Sequence, residues 1–312
     1  MSSIQSVFSI GLFQNTLRTA TPVVLAGLGV LMTDHVGIMN IGMDGMMLCG
    51  AFFAVLGSCF LGSWVGGLAL ALAIGLLLGA FFGLFVIEFK SDEYIIGVAL
   101  NIFAGGLTVF LLRTIFGVAG AFSGTSALPI HPLPIINIPL IRDIPVLGSL
   151  LSGNTLLVYV SWLMVLLSYV LIYRTPLGFW MRAAGENPEA LRAAGKSPDR
   201  MKYLASVLCG LFSGLAGAHL SLGYLTMFTE NMSASRGFIA VACVIFGRSD
   251  PRKVFMAALL FGFIDAFGLR VQTYNISSNL TSLAPYMATV IMMVLGAWLK
   301  QRKQWRLAKL ER

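Results

Sequence analysis

The sequence predicts an all-α polytopic membrane protein with about nine transmembrane segments, some broken or short, and a short capped helix in a cytoplasmic loop. Three observations carry this expectation. First, 57% of the 312 residues are hydrophobic, only 11% are charged, and the mean hydropathy is +0.86. A soluble domain carries about 25% charged residues, so this chain cannot cover a water-facing surface. Second, its apolar runs are long and continuous rather than alternating. In lipid every backbone polar group must be satisfied internally, and continuous runs select helices over a closed barrel. Third, one polar island, residues 174–202, interrupts the apolar sequence and has runs of membrane-spanning length on both sides.

The island is punctuated by helix signals. Asn187 can cap a helix, Pro188 then takes the first helical position, and Glu189 sits in the first turn where the helix dipole favours it. The helix is expected over 188–194 and to end at Gly195, which can adopt a left-handed conformation. Ser197, Pro198 and Asp199 repeat the start signal before a long apolar helix. A two-turn helix is too short to be stable alone. It must lie against something, so the reading is a docking surface for a soluble partner rather than a tether.

The net charge is +8, and its placement sets the topology. Sixteen of the 21 Lys and Arg fall on one side: Lys90, six in the island, Arg248, Arg252 and Lys253, and six in the tail at 300–312. Arg18, Arg113, Arg142, Arg236 and Arg270 fall on the other side or in the membrane near it. The first side is therefore cytoplasmic. The N-terminus lies outside, the C-terminus inside, and the basic tail serves as an anchor near anionic lipid with no nucleic acid required. No basic region followed by a cleavage site opens the chain, which argues against a removable signal peptide. Cys49, Cys59, Cys209 and Cys243 lie in apolar stretches without metal-ligand spacing and read as small buried hydrophobes. No metal or cofactor is expected.

A single transmembrane domain spans 1–312. The first segment, 12–33, is expected to break around Thr19-Ala-Thr-Pro22. Asp34-His-Val-Gly-Ile-Met-Asn-Ile-Gly-Met-Asp-Gly45 follows, polar and glycine-rich between apolar runs. It is either a cytoplasmic turn or part of the pathway, with Asn40 and Asp44 the candidates. Spans at 47–61 and 63–89 come next; Gly75, Gly79 and Gly83 allow close helix contact. The span at 94–116 carries Asn101, which either bonds a neighbouring helix or faces a cavity. Residues 117–153 form an outer, proline-rich, nearly uncharged loop that should pack on the bundle and is a candidate contact for an external binding protein. Spans at 154–173 and 201–222 flank the island, the second with Gly210, Gly214, Gly217 and His219, an ionisable residue that either lines the pathway or is solvated near the outer end. After a polar stretch containing Glu230, the apolar run 238–246 is too short to span and reads as half of a discontinuous helix. A span ending near 269 holds Asp265, which either pairs with Arg270 or lines a cavity. The last span is expected at 280–299.

Enzyme chemistry finds no support. Gly195-Lys196-Ser197 looks like the end of a phosphate-binding loop, but Ala190 stands where that motif needs its first glycine, and a helix rather than a strand precedes it. No zinc-protease motif or nucleophile elbow is present. The remaining classes are a partner-driven permease and an ion-coupled secondary transporter using His219 or Asp265. The well-capped cytoplasmic helix favours the first.

Four stretches carry a resemblance: Arg182-Ala-Ala-Gly-Glu-Asn-Pro-Glu-Ala190; Asn40-Ile-Gly-Met-Asp-Gly45; Ile96-Gly-Val-Ala-Leu-Asn101; and Phe228-Thr-Glu-Asn-Met232 with Arg236-Gly-Phe-Ile-Ala240 and Ile245-Phe-Gly247. In this order they resemble ABC importer permeases of the branched-chain amino acid/ribose/nucleoside superfamily, nucleoside/simple-sugar subgroup, over nearly the whole chain. The family usually has Glu where Asp44 stands, which keeps the charge, and Gly near Ser235. The resemblance implies a bacterial cytoplasmic (inner) membrane importer with two cytoplasmic ATPase domains, a second, non-identical permease and an extracytoplasmic solute-binding protein. It makes the short helix the coupling helix, with Arg182, Gly185, Glu186, Asn187, Pro188, Glu189, Arg192 and Gly195 at the ATPase contact. It also implies a nucleoside or related small polar solute, with a simple sugar or a riboflavin-like molecule as alternatives. Asn40, Asp44, Asn101, His219, Glu230 and Asp265 are the candidates along its path.

Overall fold

The computed structural model describes residues 10–137 and 152–272, together with Met287. The expected span at 280–299, the basic tail, and Arg142 with Asp143 lie outside the described residues. Within them the chain folds as ten α-helices, two of them continued by a π-helical turn, and four two-residue strands.

Helix α1 (Ile10–Asp34) runs unbroken through Pro22, where a break is expected from the sequence. Proline removes the donor that the carbonyl four residues earlier would receive, and here another helix supplies a replacement, described below. Thr19 reinforces the same turn: its hydroxyl lies 2.9 Å from both its own helix at Asn15 and the Gly262 carbonyl across the interface. After a tight turn come α2 (Met43–Phe60), capped to α3 (Trp64–Gly83) by the Ser63 side chain, and a π-turn at Leu84–Glu88. Asp92 accepts from the Tyr94 and Ile95 amides and so starts α4 (Glu93–Phe116), which ends at Gly117 with φ +66°.

The segment after α4 lies on the end of the bundle. Strand β1 (Ala121–Phe122) pairs antiparallel with β4 (Phe228–Thr229), and β2 (Ile135–Ile136) with β3 (Asn154–Thr155). Phe122 stacks on Phe116 with centroids 4.0 Å apart, and the Ser58 hydroxyl and His131 amide meet at 2.7 Å. Helix α5 (Leu156–Arg174) then leads into the polar island.

The island holds two helices, α6 (Pro176–Glu186) and α7 (Pro188–Ala193), followed by α8 (Pro198–Ala218), which continues as a π-turn at His219–Tyr224. All three start alike. Thr175, Asn187 and Ser197 cap them through bonds from Gly178 (3.3 Å), Ala190 (3.0 Å) and Arg200 (3.4 Å), and a proline follows each cap. This is the arrangement that proline and a capping oxygen favour at a helix start. Helix α7 ends one residue earlier than expected, with Gly195 at φ +76°.

Helix α8 is the central pillar, buried among α1, α2 and α3. It crosses α3 at glycines: a Cβ on Gly79 would meet Gly210 Cα at 3.0 Å, and one on Gly75 would meet Gly214 Cα at 3.1 Å. Close backbone approach of this kind is how helices associate where lipid provides no hydrophobic drive. Helix α9 (Arg236–Gly247) and α10 (Pro251–Gln272) pack on the other face of α1. Six described helices are long and apolar enough to cross a membrane. Helix α9, with 12 residues, is not; it extends about 18 Å.

Candidate functional site: a polar belt inside the bundle and a pair of short capped helices

The start of α9 gathers the polar groups inside the bundle. Four non-glycine residues leading into or just before it, Thr226, Asn231, Ala234 and Ser235, have positive φ, an irregular backbone that membrane proteins keep only against protein or an aqueous cavity. Asp44, in the first turn of α2, accepts from the Gly237 amide (3.0 Å) and the Ser233 hydroxyl (2.9 Å). Its carboxylate thus sits at the helix N-terminus, where exposed N–H groups and the dipole favour an anion. Arg236 donates to Asp265 of α10 at 3.1 Å, leaving the two side chains 18% and 29% exposed. Asp265, Arg236 and Arg18 all act electrostatically on Tyr224. The sequence offered Arg270 as the partner of Asp265; the structure places Arg236 there instead.

Two of the candidate amides hold backbone. Asn101 accepts from the Gly45 amide at 2.7 Å and donates to the Ile41 carbonyl at 3.0 Å. Asn40 is fully buried, accepts from the Gly42 amide at 2.8 Å, and reaches the Cys209 sulfur at 3.2 Å. Both brace residues 40–45, the turn that presents Asp44. His219 is also fully buried, and its Nε2 lies 3.1 Å from the Arg18 carbonyl. Arg18 is four residues before Pro22, so this is the carbonyl that the proline leaves free. A carbonyl only accepts, so Nε2 carries the proton, and Nδ1 is buried without a hydrogen-bond partner among the described residues. Glu230 lies apart from the belt, accepting from the Gly120 amide at 2.9 Å beside the β1–β4 pair. Ser233 and Arg236 complete the belt; nothing in the sequence assigns Ser233 a role, and Arg236 enters only through its motif and the charge distribution. All four cysteines are buried and unpaired, and among the described residues no three His, Cys, Asp or Glu side chains form a metal site.

The other feature is the pair of short helices α6 and α7 at one end of the bundle. Helix α6 buries Gly178, Met181 and Ala184 and leaves its other face open; α7 buries only Leu191. Lys196 lies 4.4 Å from the Trp180 ring centroid, and Arg182 5.3 Å from that of Tyr173. Arg192 pairs with Glu189 at 2.7 Å, in a largely exposed contact of little energetic weight. Between α6 and the α1–α2 turn lies a recess of about 220 Å³, lined by Asp34, His35, Gly37, Arg182, Gly185, Glu186 and Ser249. The Ser249 hydroxyl donates to Asp34. Burial holds the His35 imidazole below its ordinary 6.5, only partly opposed by the Asp34 charge and a backbone bond at Ser249. The neighbouring Arg182 guanidinium lowers it further, while Glu186 raises it. His35 is therefore neutral at pH 7. The recess thus joins three separate parts of the chain: residues 34–37, the end of α6, and the turn after α9.

A bundle of long apolar helices carrying an irregular polar belt inside and a capped helical pair at one end defines a multi-pass membrane transport subunit. The chain belongs to the branched-chain amino acid transport system / permease component family, whose model matches residues 12–298. TsgC13 of Haloferax volcanii, provisionally named a glucose ABC transporter permease protein, is 34% identical over 270 residues, covering 86% of this chain and 80% of its own. The guanosine ABC transporter permease protein NupQ of Bacillus subtilis is 32% identical over 290 residues, 90% of this chain and 89% of its own. NupP, also a guanosine ABC transporter permease protein of that organism, is 29% identical over 266 residues, 83% and 73% of the two chains. Among solved structures, PsaBC from Streptococcus pneumoniae in complex with Fab superposes with a TM-score of 0.50 at 18% identity, covering 94% of this chain and 95% of that one. That likeness concerns the fold. The chain is a transport component rather than an enzyme.

Proposed function

We propose that this chain is the translocating subunit of an ATP-driven importer in a bacterial cytoplasmic membrane, and that its solute is a nucleoside or a close polar relative. The observation that carries the reading is the docking end: two short helices, each capped and proline-started, held at one end of an apolar bundle with open polar faces. Such helices have no stability of their own, and the surface they present suits a soluble ATPase. Arg182, Gly185, Glu186, Asn187, Pro188, Glu189, Arg192 and Gly195 form that surface, with α7 as the coupling helix. This end, which carries the basic island, faces the cytoplasm, and so does the C-terminus. The segment 117–153 then faces outward toward a solute-binding protein.

A second permease completes the pathway. A non-identical partner is favoured because two proteins of Bacillus subtilis named for guanosine, NupQ and NupP, both resemble this chain. Within the chain the solute path follows the polar belt. The partly exposed Arg236–Asp265 pair is placed to meet solute hydroxyls, whereas Asn40, Asp44, Asn101 and His219 shape the walls by fixing backbone, and Glu230 stands at the outer mouth.

Glucose or another simple sugar is the second reading, supported by the similarity to TsgC13. Uptake of labelled guanosine, glucose, ribose and riboflavin in cells with and without this chain separates them. The nucleoside reading expects loss of guanosine uptake. Loss of glucose or ribose uptake alone would keep the importer and replace the solute.

A further inference from the structure

Residues 34–44, between α1 and α2, touch both ends of the half-helix α9. At one end, Asp34 accepts from the Ser249 hydroxyl, and the Ser249 amide is bonded to Val244 in the last turn of α9 at 3.2 Å. At the other end, Asp44 accepts from Ser233 and from Gly237 in the first turn. The half-helix is about 18 Å long, and the ten residue steps from Asp34 to Asp44 reach at most about 33 Å when extended. One short stretch therefore runs beside α9 and grips it twice. The same stretch meets the docking end. A Cβ on Gly185 would lie 3.0 Å from the Gly37 amide and 3.1 Å from the Val36 carbonyl carbon, so backbone rests on backbone with no flexible side chain between. The stretch is stiffened by bonds from Val36 and Ile38 to the Thr33 carbonyl, from the Met39 amide to Glu93 (3.0 Å), and by the Asn40 and Asn101 braces. Close packing of this kind transmits displacement instead of absorbing it.

We propose that residues 34–44 act as a strap that carries movement of the docking helices to α9, with Asp34 and Asp44 as its grips, so that partner closure shifts the Arg236–Asp265 belt. Asp34 and Ser249 are positioning residues, since neither belongs to the belt itself. The inference rests on the importer reading.

The test uses the full assembly, with this chain, its ATPase and permease partners and its binding protein, and compares S249G, S249N, D34A and D34A/S249G. Ser249 sits at φ +56°, so glycine removes the hydroxyl without backbone penalty, and asparagine keeps a donor in a conformation it tolerates. The amount of ATPase chain that co-purifies reports folding and docking. With ATPase bound as in wild type, S249G and D34A are expected to lower solute transported per ATP about tenfold, the factor that one hydrogen bond to a charged group represents. S249N should restore it, and the double variant should be no worse than either single. Wild-type coupling in S249G and D34A, or additive losses in the double variant, would overturn the strap while leaving the importer in place. Absence of ATP-dependent uptake by the wild-type assembly would overturn the importer reading, and the strap with it.

Discussion

The Nε2 atom of His219 lies 3.1 Å from the carbonyl oxygen of Arg18, and that carbonyl is free because Pro22 has no amide hydrogen to offer it. A proline in α1 and a histidine in the π-turn after α8, nearly 200 residues apart, thus form one device. His219 replaces the missing donor, and α1 continues as a helix through Pro22. Loss of the imidazole leaves a buried carbonyl unsatisfied, so H219A is expected to destabilise the detergent-solubilised protein by about 1–3 kcal/mol. The P22A change returns an amide to the helix, so H219A should cost clearly less in a P22A background. Thermal melting of the two singles and the double supplies the cycle, and equal effects of H219A in both backgrounds would refute the pairing.

The Arg236–Asp265 pair joins α9 to α10 with under a third of either side chain exposed. Removing one partner leaves the other charge inside the bundle. A fully buried pair broken this way costs 3–5 kcal/mol; partial exposure reduces that to about 1–3 kcal/mol for D265N or R236Q. Replacing both, as in R236M/D265L, should be milder for stability than either single, yet uptake should still fail. Melting and uptake measured on the same preparations check both halves.

Asn101 clamps the turn at 41–45 with one accepted and one donated bond. N101A should therefore lower stability by about 1–2 kcal/mol and leave the order of preference among competing solutes unchanged. Competition by unlabelled nucleosides and sugars against labelled uptake is the measurement; a changed preference without lost stability would assign Asn101 to solute contact instead.

His35 gives the docking end a pH response. Its folded pKa lies below the ordinary 6.5, chiefly through burial. The folded state therefore binds a proton less readily than the unfolded chain. Its contribution to stability is complete above about 6.5 and declines as pH falls through the lowered folded value. Asp34, Arg182, Glu186 and the Tyr173 ring face it. Melting temperature should fall from pH 7 to pH 5.5, and the fall should be smaller in H35Q.

Much of the architecture was legible from local chemistry. Asn187-Pro188 and Ser197-Pro198 announced two helix starts, and the apolar run after Arg236, too short to span, marked α9. The same cap-and-proline signal stands at Thr175-Pro176, before α6, where no helix was expected from the sequence. The site was less legible because its geometry is made by distant residues. Nothing near Pro22 shows that a histidine will repair its helix, so a break was the local expectation. Asn101 gave no sign of whether it faces solute or the Gly45 amide, since that depends on how α2 and α4 pack. Asp265 had Arg270 nearby in sequence, whereas the half-helix brings Arg236 to it. The break at Pro22 and the open alternatives at Asn101 and Asp265 all turn on contacts between helices; the helix starts were decided within a turn or two of one helix.

The most direct measurement is uptake of labelled guanosine by proteoliposomes holding this chain, its partner permease and ATPase, with binding protein outside, comparing enclosed ATP with an imposed proton or sodium gradient. The account predicts uptake that requires ATP and every partner and is lost in E186A/R192A at the docking end. Uptake by this chain alone, driven by a gradient and indifferent to ATP, would contradict it.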